Sequence, residues 1–200
     1  MAAVTTWEQQ IDEWLHSDRK FAETCLLENG SVGRMFTVHT RGGNDVPIHA
    51  AWDDAATKAS TLALVRVLGL ALDAVAIGCV GEAWVVLNPT TGDMETRPAS
   101  NALRKECVVI SIEGRAEGGS GTLRRLAVLE IIRDGGPGGK PVGTRPIEMP
   151  EIGSADGGFA NLLSPAQPPV GARDAALKAL EDGGFRLPDE LDPRKRPVPH

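Results

Sequence analysis

Near the start of the chain, Trp7, Ile11, Trp14, Phe21 and Cys25 recur at steps of three and four. That spacing predicts an amphipathic helix, and Asp18 is the one polar residue on its apolar stripe. Thr6 followed by Gln9 has capping-box spacing, in which hydroxyl and amide satisfy the free N–H groups of the first turn. Asn29-Gly30 supplies the stop. The period then changes from helical to alternating. "RMFTVHT" and "VPIHAAW" flank "RGGND" and predict a β-hairpin. Phe36, Val38, Ile48 and Ala50 share the parity of the core face, leaving Thr37, His39, Pro47 and His49 on the other. Pro47 lacks an N–H and places its strand at an edge or at a strand start.

A second helix follows, capped by Asp53 or Asp54 and carrying Leu62, Val65, Leu68 and Leu72 on one side. Three Val- and Ile-rich runs, at 74–87, 106–115 and 123–133, predict three strands. The loops between them are short enough to imply antiparallel neighbours. After Arg133 the composition shifts. "DGGPGGKPVGTRP" and "SPAQPPVG" read as Gly/Pro linkers around an apolar island, "GFANLLS", with one more helix near 173–182. The domain expectation is a core over 1–133 and an extended tail over 134–200. Within the tail, Phe159, Leu162 and Leu163 are the docking residues.

This order, α-β-β-α-β-β-β, resembles the small α+β sensor and scaffold domains of the roadblock, longin and profilin-like group. The resemblance spans roughly residues 5–133 and lies in element order, not in any motif. It implies a single antiparallel five-stranded sheet and brings no activity with it.

Charge and chemistry narrow the function. Two hundred residues with a net charge of −6 do not suit a general nucleic-acid binder, which needs a basic face to displace phosphate counterions. Three unclustered cysteines in apolar surroundings read as buried thiols, with no metal-ligand spacing. No signal peptide or membrane-length apolar run is visible, so the expectation is a cytoplasmic protein. "GGPGGK" approaches a phosphate-binding loop, but Pro141 stands where a magnesium-binding hydroxyl belongs. Abundant Ala, Gly, Pro and Arg without tyrosine fit a bacterial or viral source.

Period two places Glu82, Trp84, Glu113 and Glu130 on the face opposite the core, if the three strands are neighbours. His39 and His49 are expected as a near-diagonal pair on one hairpin face. These six residues form the expected partner- or ligand-binding face. Trp7, Ile11, Trp14 and Phe21 form an interface helix that covers the domain's own sheet or meets a partner. The glutamates are expected chiefly as structural ion pairs with Arg66, Arg124 or Arg125. The leading reading is a non-enzymatic protein-binding or assembly module without cofactor or metal. It engages a protein partner or a second copy, as in a phage or plasmid accessory protein. The alternatives are a small hydrolase or metal-dependent enzyme using Glu82, Glu113, His39 and His49, and a small-ligand sensor stacking its ligand on Trp84.

Overall fold

A computed structural model describes residues 6–41, 43–86, 104–115, 121–148, 162–163, 168–189 and 191–195. Helix α1 (Trp7–Asn29) starts at the Thr6–Gln9 capping box and stops at Gly30, whose φ of 80° is the left-handed conformation that ends helices. Strands β1 (Met35–Thr40) and β2 (Val46–His49) form the hairpin. Helix α2 (Ala55–Ala71) begins at Asp54, whose carboxylate accepts the Thr57 N–H. Strands β3 (Ala74–Val86), β4 (Arg104–Arg115), β5 (Thr122–Arg133) and β6 (Pro141–Ile147) follow, then helix α3 (Ala172–Asp182).

The architecture is α+β, an open antiparallel sheet of six strands in the order β2-β1-β3-β4-β5-β6. The expected count of five omitted β6, which lies inside the segment read as a linker. Its glycines build a tight hairpin instead. Asp134 donates its N–H to the Lys140 carbonyl at 2.9 Å, and Gly139 donates to Gly136 at 3.0 Å. Gly135, Gly136 and Gly138 all adopt positive φ, which a side chain resists. The two prolines of β6 suit an edge strand, where an absent N–H costs no ladder bond.

Helices cover both faces of the sheet. On one side α2 packs on β1 and β3, and α3 packs in turn on α2. Phe36, Val38, Leu62, Val65, Leu68, Ile77 and Leu177 form that core. Gly69 allows the close approach, since a Cβ there would sit 3.0 Å from Ile77 Cδ1. On the other side α1 lies across β3, β4, β5 and β6. Its buried line is Ile11, Asp18, Ala22 and Leu26, packed on Val80, Val108, Ile110, Leu129 and Ile112. The aromatic stripe is thus rotated from the expected one. Phe21 is 41% exposed, while the small Ala22 turns inward and lets the helix approach the sheet. Trp7 and Trp14 pack beside Ile11 on the chain's own sheet.

Candidate functional site

Register divides the residues expected on one face. Glu82 pairs with Val108, and Val80 with Ile110, so these four side chains share the α1 side. Glu113 pairs with Ile77 and therefore points to the α2 side, and Glu130, opposite Cys107, does the same. Glu82 and Trp84 stay together, with Glu113 and Glu130 on the reverse face. The error was one of phase between strands. Both faces of β3 and β4 carry apolar residues, so parity within a strand cannot say which face is which. His39 and His49 share a face but do not adjoin. His49 pairs with Met35, four residues along β1 from His39, or about 13 Å at the usual rise of a strand.

The reverse-face glutamates are held by cations. Glu113, 5% exposed, lies 3.3 Å from Arg124 Nε and accepts the Leu163 N–H at 3.2 Å. Leu162 and Leu163 are buried in the α2-side core; Phe159 lies outside the described residues. Glu130 bonds Arg145 at 2.7 Å and Lys105 at 3.0 Å. Desolvation alone would raise its carboxyl, but these two cations outweigh it and hold it below the ordinary value. The thiols are passive: burial pushes Cys79 up to about 12 and Cys107 up to about 11.

Beneath α1 lies a polar cluster. Asp18 is 8% exposed and His39 2%, and among the described residues neither Asp18 Oδ2 nor either ring nitrogen of His39 has a hydrogen-bond partner. His39 Nδ1 lies 3.1 Å from Asp45 Oδ1, close enough for an ion pair when the ring is protonated but without hydrogen-bond alignment. Trp14 stacks on the imidazole at 4.2 Å between centroids, and Trp7 meets Trp14 edge-on at 5.7 Å. Gly78 forms the floor. A Cβ there would meet Asp18 Oδ2 at 2.9 Å and His39 Nε2 at 3.4 Å. Burial pushes the Asp18 carboxyl up to about 6, with His39 lowering it and Asp45 raising it.

The accessible chemistry is at the end of the sheet where β3 runs past the start of β1. Trp84 is 39% exposed there, with the Arg104 guanidinium 4.6 Å above its ring. Two positions back on the same face, Glu82 accepts the Val32 N–H at 2.5 Å. Glu82 also lines a notch of about 300 Å³ with Gly33, Arg34, Ala50, Trp52 and Asp53. Arg34 lies 4.8 Å over the Trp52 ring and packs its stem above Gly81. Glu82 thus joins the notch to the strand that carries Trp84 two residues further on. Sequence pattern passed over Arg34 and Trp52, although tryptophan beside charge in a chain with four tryptophans was the available signal.

Among the described residues, no group of three or more His, Cys, Asp or Glu side chains is placed to hold a metal ion. Nor is any described helix long and apolar enough to cross a membrane. No family model, curated protein or solved structure matches the chain.

Proposed function

We propose that the chain is a protein-binding or assembly module that meets its partner through the Trp84 end of the sheet. The observation that carries this reading is the exposed Trp84 under Arg104, beside the Arg34–Trp52 notch. Tryptophan and arginine dominate binding hot spots because a large flat ring and a planar cation lose much water on contact and little side-chain freedom. The hydrolase alternative needs Glu82, Glu113, His39 and His49 to converge on one point. They lie on opposite faces or well apart along the edge, and His39 is out of solvent reach.

The test places a photoreactive benzoylphenylalanine at Trp84 and, as a control, at Val142, which is 56% exposed on β6. Irradiation in cells of the source organism should give a discrete protein adduct from position 84 and none from position 142. An adduct with a second copy would mark self-assembly, checked by a mass that rises with concentration. A monomer at all concentrations, with no adduct at position 84, refutes the proposal.

A further inference from the structure

The buried cluster under α1 has a consequence independent of the binding surface. Asp18 belongs to α1, His39 to β1 and Asp45 to the β1–β2 turn, so three segments meet at one set of titratable groups. The surroundings supply little compensation. Around Asp18, α1 contributes the uncharged Trp14, and β3 contributes Gly78 with Cys79 behind it. Beside Gly78, β4 contributes Ile112. The charged groups acting on Asp18 are His39 and Asp45, and Asp45 opposes its ionisation. An ionised carboxylate in this place lacks the donors that buried carboxylates require.

We propose that Asp18 and His39 form a proton-dependent latch between α1 and the β1–β2 edge hairpin, tight when Asp18 carries its proton and slack when it ionises. A protonated Asp18 is uncharged and has an O–H to donate, whereas the carboxylate form is a desolvated charge beside a second acid. The Trp14 ring, stacked on His39 from the same helix, ties the position of α1 to the state of the pair.

The sign follows from proton uptake. A carboxyl raised in the docked state binds more protons docked than released. Its contribution to docking is complete below its ordinary value near 4 and is lost as pH rises through about 6. Between pH 5 and 7.5 that difference changes the docking equilibrium about tenfold.

Two measurements on the whole protein decide the matter. Amide exchange, corrected for intrinsic rates, should show α1 protection falling about tenfold more than α2 protection from pH 5 to 7.5. In Asp18→Asn, which cannot ionise, α1 and α2 should change together. Carbon-detected titration of the wild-type Asp18 carboxyl, which requires no variant, should give a midpoint near 6. A midpoint below about 4.5, close to the ordinary value, overturns the latch. So does equal loss of protection in both helices of the wild type, which would mark a global effect.

Discussion

Replacing Ile11 and Gly114, singly and together, tests whether α1 covers its own sheet. Ile11 is fully buried against Ala76 and Ile112, with Trp7, Trp14, Leu15 and Leu123 around it. Its floor is the backbone of Gly114 on β4. A Cβ at Gly114 would collide with Ile11 Cδ1 and lie 3.0 Å from Cγ1. Ile11→Ala removes a fully enclosed side chain over a paired strand that cannot sink into the gap. The expected loss is about 3–4 kcal/mol, within the range for buried aliphatic truncations. Gly114→Ala in the wild type overpacks the same spot and costs about 1–3 kcal/mol. In the double variant the new methyl occupies space that Ile11 vacates. The loss in the double variant should therefore fall short of the sum of the two single losses by at least about 1 kcal/mol. Urea unfolding of the four proteins at low concentration, with unchanged m-values, reads out the cycle. Additive losses, or an Ile11→Ala cost below about 1 kcal/mol, refute the packing of α1 on this sheet.

Glu113→Ala should leave the Leu163 N–H without its acceptor and Arg124 without this carboxylate, destabilising by about 1–3 kcal/mol. Limited proteolysis near residue 163 should accelerate in that variant; an unaltered rate would show that Glu113 does not hold the segment. Gly136→Ala forces a side chain into φ 91° in the β5–β6 turn and should cost about 1–2 kcal/mol. Gly143→Ala on β6, where a Cβ meets nothing within 4 Å, should be neutral or mildly stabilising. Thermal melts in which both glycine variants match the wild type would restore the linker reading.

What can be read along one element was visible in the sequence. The caps at Thr6 and Asp54, the stop at Gly30 and the β1–β2 hairpin are where local pattern puts them. Asp18 already stood out as the polar residue on an apolar stripe, and it is the buried acid at the centre of the α1 contact. Strand β6 was obscured because prolines and glycines at an edge resemble a linker until the turn hydrogen bonds are known. Relations between elements were not visible. Alternation along β3 separates Glu82 from Cys79, and along β4 it separates Glu113 from Ile112, but neither pattern says which face the other strand shares. Pairing settled this by setting Val80 against Ile110 and Glu113 against Ile77. The same holds for His39 and His49, whose spacing along the edge depends on the hairpin register.

Apart from strand β6 and the buried side of α1, the sequence by itself determined which segments are helices and strands and how apolar residues recur along them. Those properties follow from backbone sterics, capping and side-chain period within a few residues. Tertiary structure decided the phase between strands, the covering of both sheet faces, and the meeting of Asp18 with His39. These are choices among registers and packings with nearly equal local energies. They are settled only when long-range hydrogen bonds and buried contacts form together.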